Sequence, residues 1–144
     1  MLPKFYRFRT LWEADQTLTY ANAARVEIDV QPWKITSAGA LEYATVITSD
    51  MGFSSGTIAD DGENESAVQD NTSFLDFGFD GTLKVIADAN STDGTMTLFM
   101  ERSDLNGNWP SDLADFDIHD LTVLCKLDMS TDAEDEGRAK NFSY

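Results

Sequence analysis

Asp104, Asn106 and Asn108 alternate like the first three ligands of an EF-hand loop, in which oxygen-bearing side chains gather a calcium ion. Gly107 stands at the fourth position of that loop rather than the sixth, and the distal Glu is missing, so the run is not an EF-hand. A looser calcium site drawn from Asp104, Asn106, Asp112, Asp115 or Asp117 competes with a turn whose Asx side chains bond their own backbone. The turn explains the same residues without an ion, so no metal and no cofactor is expected. A second acidic run, Asp60-Asp61-Gly62-Glu63-Asn64-Glu65, is read likewise as a solvated loop tip.

Residues suited to catalysis are sparse. His119, the one histidine, follows Asp117 and precedes Asp120 just before an apolar run, the setting of a solvent-facing turn histidine rather than of a general base. Cys125, the one cysteine, alternates with apolar residues and has no neighbouring His to lower its pKa, so it reads as a small core residue. A phosphate loop, zinc-spaced cysteines and His-Glu-x-x-His are all missing from the sequence. A carboxylate pair for glycoside hydrolysis can be drawn in many ways from 26 Asp and Glu, which makes any one pair uninformative. The chain is read as non-enzymatic.

Residues suited to binding are easier to find. Trp33 and Trp109 each adjoin a proline, and an indole there either offers a flat face for a sugar ring or plugs the end of a β-structure. The start of the chain, MLPKFYRFR, carries Lys4, Arg7 and Arg9 with no acid, interleaved with Phe5, Tyr6 and Phe8 and followed by Trp12. Cations beside large aromatics are the mixture enriched where proteins anchor to one another. Residues 1–15 are therefore expected to form an extended basic-aromatic arm that reaches a partner, the alternative being a first strand lying on its own domain.

These groups need a scaffold, and 144 residues with 42% hydrophobic content are enough for one domain with a core of its own. The formal charge of −16 makes a surface that repels phosphate backbones, so nucleic acid is not an expected partner. No apolar run approaches a membrane-spanning length, and Met1 to Thr10 lacks the apolar stretch of a secretory signal, so no membrane association is expected either. A single cysteine gives no sign of an oxidising compartment.

The elements read as strands. Val26, Ile28 and Val30 alternate with Arg25, Glu27 and Asp29, and in ALEYATVITS the residues Leu41, Tyr43, Thr45 and Ile47 share a face. Residues 50–76 read as a long connection. Leu83, Val85 and Ala87, then Met96, Leu98 and Met100, alternate on either side of STDG and predict a β-hairpin, with Ile86 and Phe99 implying a partly covered second face. Leu121, Val123, Cys125, Leu127 and Met129 form one face of a last long strand. The pattern is that of an all-β protein, a single antiparallel β-sandwich over residues 16–130 with jelly-roll connectivity as one option. Residues 131–144 are expected to form a polar tail or a short terminal strand.

The segment GTMTLFMERSDLNGNWPSDLADFDIHDLTVLCKL adds a resemblance. A strand ending in Glu101-Arg102-Ser103, a turn with Asp104 and Gly107, then Trp109-Pro110, the triplet Asp115-Phe116-Asp117 and an apolar strand resemble small structural proteins of tailed bacteriophages. The match covers roughly the last third of the chain, and its turn is DLNGN where the pattern has a Gly-rich one. The resemblance implies a non-enzymatic virion component, either a capsid decoration or cement protein or a tail, collar or fibre component. The implied partners are the major capsid protein or other virion proteins and further copies of the chain in a homo-oligomer, on a capsid exterior assembled in the host cytoplasm. From outside that class, a carbohydrate-binding β-sandwich module using Trp33 or Trp109 is the alternative.

Overall fold

The computed structural model describes residues 2–14, 18–19, 26–50, 57–58, 61–72, 76–86, 94–103, 109, 121–129 and 137–144, and among these there is no helix. The described residues form twelve strands in the order β1 (Phe5–Ala14), β2 (Leu18–Thr19), β3 (Val26–Ile35), β4 (Leu41–Tyr43), β5 (Ile47–Asp50), β6 (Thr57–Ile58), β7 (Glu63–Glu65), β8 (Gln69–Asp70), β9 (Gly78–Ile86), β10 (Gly94–Ser103), β11 (Leu121–Asp128) and β12 (Gly137–Ser143). The first sheet runs β11-β10-β1-β7, with β8 also on β1; the second runs β12-β9-β3-β4, with β5 also on β3; β2 and β6 form a small separate ladder. All pairings are antiparallel, and the two sheets pack face to face as the expected β-sandwich.

The period-two sequences explain the layering. Tyr6, Phe8 and Trp12 of β1, Met96, Leu98 and Met100 of β10, and Cys125 and Leu127 of β11 point inward from the first sheet. Val26, Ile28 and Val30 of β3, Phe79, Leu83 and Val85 of β9, and Phe142 of β12 meet them from the second. Phe79 is the hub, edge-on to Phe8 at 5.5 Å and to Phe142 at 6.0 Å, and stacked with Tyr144 at 5.6 Å. Thr10, between Phe8 and Trp12 on the same inward row, buries a hydroxyl with no hydrogen-bond partner.

Several expectations are corrected. Phe5–Ala14 is not an arm but the alternative, a first strand on its own domain: β1 is an interior strand, paired with β10 along its whole length and with β7 and β8 on its other side. The alternation that put aromatics at 6, 8 and 12 and arginines at 7 and 9 is a strand period, and it buries one row in the core and the other under ion pairs. At the chain end the terminal-strand option holds: β12 pairs with β9 from Gly137 to Ser143 and seats Phe142 in the core. The domain therefore begins and ends outside the bounds 16–130.

The predicted hairpin is also replaced. β9 lies in the second sheet and β10 in the first, so the two strands are not paired with each other. Alternation identifies a strand with one buried face, but it does not say which strand lies beside it. First and last strands are not neighbours, as a jelly roll would have them; β1 pairs with β10, β7 and β8, and β3 with β9, β4 and β5. ALEYATVITS is two short strands with a break at 44–46, and the 50–76 connection contains β6, β7 and β8. On β11 a bulge opposite Leu98 and Phe99 skips Leu124, so Cys125 faces the core while Val123 turns outward.

Candidate functional site

The outer face of the first sheet carries the residues that the sequence assigned to a partner. Arg7 lies opposite Glu101 across β1 and β10, and Arg9 opposite Glu65 across β1 and β7. The Glu101 carboxylate, fully buried, accepts from Arg7 Nε through Oε2 and from Arg9 Nε through Oε1. Arg9 Nη1 lies 2.8 Å from Glu63 Oε2 and 3.3 Å from Glu65 Oε2, and Arg7 Nη1 lies 3.3 Å from Glu65 Oε1. Burial disfavours the Arg9 charge, but the Glu101 hydrogen bond and the carboxylates of Glu101, Glu65 and Glu63 outweigh it and hold the guanidinium above its ordinary value. Two cations are thus neutralised within the sheet, and neither is offered to a partner.

Trp109 completes this cluster. Its ring stands 4.8 Å from the Arg7 guanidinium carbon, a cation–π contact, and its Nε1 is buried without a hydrogen-bond partner. The indole therefore covers an ion pair on a sheet face; it plugs neither end of the sandwich. Of the other residues assigned to the arm, Tyr6, Phe8 and Trp12 are core, Phe5 is half-buried and Lys4 is exposed. Glu63, Glu65 and Glu101 were missed as functional partners. The signal was present, because Glu63-x-Glu65 repeats the two-residue spacing of Arg7-x-Arg9, which adjacent strands bring to one face.

The second sheet presents a different outer face. At one end, Lys84 Nζ pairs with Asp29 and lies 3.3 Å from Glu27, and the hydrogen bonds to Asp29 and Glu27 hold its pKa above the ordinary value. At the other end, Trp33 lies opposite Tyr43, and Ile35 opposite Leu41, on β3 and β4. Directly opposed residues share a face, so all four side chains project outward together. Leu41 is 53% exposed, Tyr43 50% and Ile35 44%, while the half-buried Trp33 indole lies across Gly78 of β9. An added Cβ on Gly78 would come within 2.6 Å of the ring, so the glycine is what lets the indole lie flat. Val46 extends the same side, also about half exposed.

Asp104, Asn106, Asp112, Asp115, Asp117 and His119 lie outside the described residues. Among the described residues no group of three or more His, Cys, Asp and Glu side chains is placed to hold a metal ion. Burial pushes the Cys125 thiol up to about 11 against a smaller opposing pull from Lys140, which suits a packed thiol and not a nucleophile. The contiguous apolar quartet on β3 and β4 is the feature best suited to binding. No protein-family model, curated protein or solved structure matches the chain.

Proposed function

We propose that the protein is a non-enzymatic structural component of a tailed-phage virion, a capsid decoration or cement protein that stabilises the shell through protein–protein contacts. The resemblance over Gly94 to Leu127 supplies the class. The observation that carries the contact is the outward-facing quartet of exposed Ile35, Leu41 and Tyr43 with the half-buried Trp33. Apolar and aromatic side chains gathered on one sheet face are what a partner covers, and here they replace the N-terminal segment as the anchoring surface. The partner is the major capsid protein, another virion protein or a second copy of the chain. The acidic remainder, with a formal charge of −16, would keep particles dispersed.

Mass spectrometry of purified particles tests this by counting copies of the chain against the major capsid protein. A ratio near the shell's stoichiometry supports decoration. A ratio of a few percent supports a tail, collar or fibre component, and absence from particles removes the virion reading. Within the decoration reading, L41E should leave the protein folded and off the particle.

A second reading rests on Trp33 and Tyr43 as cross-strand neighbours on an open face. Two such rings can stack on successive sugars of a polysaccharide, as a carbohydrate-binding module requires. Saturable quenching of Trp fluorescence by a soluble glycan, lost in W33A, would favour it over the virion reading.

A further inference from the structure

A cleft of about 430 Å³ opens between the two sheets at one edge of the sandwich, away from the apolar quartet's face. The first sheet and its flank contribute Tyr6 and Asp76, and the second contributes Pro32 and Ile47, with Lys34 and Glu42 also lining it. Tyr6 is 3% exposed and Asp76 8%, yet no hydrogen bond from a described residue reaches the Tyr6 hydroxyl or the Asp76 carboxyl. Both residues are more than nine-tenths buried, and their polar ends, which take no hydrogen bond from the described residues, line one cavity and keep their hydrogen-bonding capacity for what enters it.

The orientation of Asp76 is built. Asn71 Oδ1 accepts from the Asp76 backbone N–H at 2.8 Å, and Asn71 Nδ2 donates to the Asp76 carbonyl at 3.3 Å. Asn71 Nδ2 also donates to the Leu2 carbonyl at 3.5 Å, so the amide is committed to the backbone of both Leu2 and Asp76. Asp70, also on the lining, is engaged by the Thr72 hydroxyl at 2.6 Å and the Thr72 N–H at 2.8 Å. Lys34 stands 3.8 Å from Glu42 as a partly exposed pair. The lining thus carries three carboxylates against one ammonium, and its deepest acid is the one without a partner.

We propose that this cleft receives a guanidinium or ammonium side chain presented by a partner chain. The Asp76 carboxyl and Tyr6 hydroxyl accept its N–H groups, and Pro32 and Ile47 carry its aliphatic stem. An anion is excluded by the three carboxylates. A sugar is disfavoured because the cleft offers no open aromatic face: the Tyr6 ring is stacked on Phe79 at 5.9 Å and edge-on to Phe8 at 5.8 Å, leaving its hydroxyl end for the cavity. The site lies apart from the surface proposed for shell contact and stands or falls separately from it.

The test is titration of the full chain with acetyl-arginine amide and acetyl-lysine amide, followed by NMR of the tyrosine ring signals, with Tyr6 assigned through Y6F. A saturable displacement of the Tyr6 signal is expected, weakened about tenfold or more in D76N, since a buried charge-assisted bond is lost. D80N removes the same charge from an exposed position on the second sheet and should leave the affinity unchanged. Should D76N fail to fold, Y6F read on the Ile47 methyl signals serves instead and should also bind more weakly. Absence of saturation, equal affinity in D76N and D80N, or displacement of the Tyr6 signal by glucose as effective as that by the cations would overturn the proposal.

Discussion

Arg9 and Glu101 form a buried ion pair on the outer face of the first sheet, the Arg9 Nε donating to Glu101 Oε1 while Arg7 holds the carboxylate's other oxygen. A carboxylate shared by two guanidiniums in this way cannot be removed quietly, because each cation would remain desolvated with its main counter-charge gone. E101Q should cost about 3–5 kcal/mol in urea denaturation. E65Q, at a position whose side chain is 44% exposed, should cost under about 1 kcal/mol. Added salt should erase the Glu65 effect and leave most of the Glu101 effect, since exposed pairs are screened and buried ones are not.

The same pairing reverses the expectation for the N-terminus. Deleting residues 1–10 takes away the pairing partner of β10, β7 and β8 together with Tyr6 and Phe8 from the core. The truncated chain should lose its cooperative thermal transition. A retained melt near the wild-type temperature would mean that the sandwich closes without β1, contrary to its interior place in the sheet.

Gly78 is expected to be intolerant of even one added carbon. An ideal Cβ there falls 2.2 Å from the Tyr144 carbonyl oxygen and 2.6 Å from the Trp33 ring. The backbone contact cannot yield by a side-chain rotation, so G78A should destabilise by about 1–3 kcal/mol, the usual cost of overpacking. Displacement of the indole should also shift Trp fluorescence, which a purely global loss of stability would not do in the folded baseline.

Much of this architecture was legible because alternation is a local property. Val26, Ile28 and Val30, or Met96, Leu98 and Met100, declare a buried face within six residues of chain, and each occupies the core. Sheet assignment is not local, and nothing in LKVI or MTLFM says that these strands belong to opposite layers. The basic-aromatic opening misled for a related reason. Its charges are matched by Glu63, Glu65 and Glu101, which lie more than fifty residues away and become neighbours only through the β1 pairings. Leu41 and Tyr43 were seen as a strand face but not as an exposed one, because the break at 44–46 that separates β4 from β5 leaves no mark in the hydropathy.

The cleft makes a prediction in pH. Burial raises the Asp76 carboxyl above its ordinary value of 3.8, with Lys34 opposing and Glu42 adding to the shift. The native state therefore holds this proton at pH values where the unfolded chain has released it, and stability must fall as pH rises from about 3.8 through the elevated value and then level off. Burial, with the Asp76 charge behind it, likewise pushes the Tyr6 phenol up to about 12 from 10.0, so a second loss should run from about pH 10 to about pH 12. D76N should flatten the acid-side slope and melt higher than the wild type at pH 7, and Y6F should flatten the alkaline one. A cation seated against Asp76 favours the ionised carboxylate, so saturating acetyl-arginine amide should reduce the acid-side slope in the wild type and leave D76N unaffected. A slope that persists in D76N would assign the linkage to another carboxylate and leave Asp76 without the desolvated position that the cleft gives it.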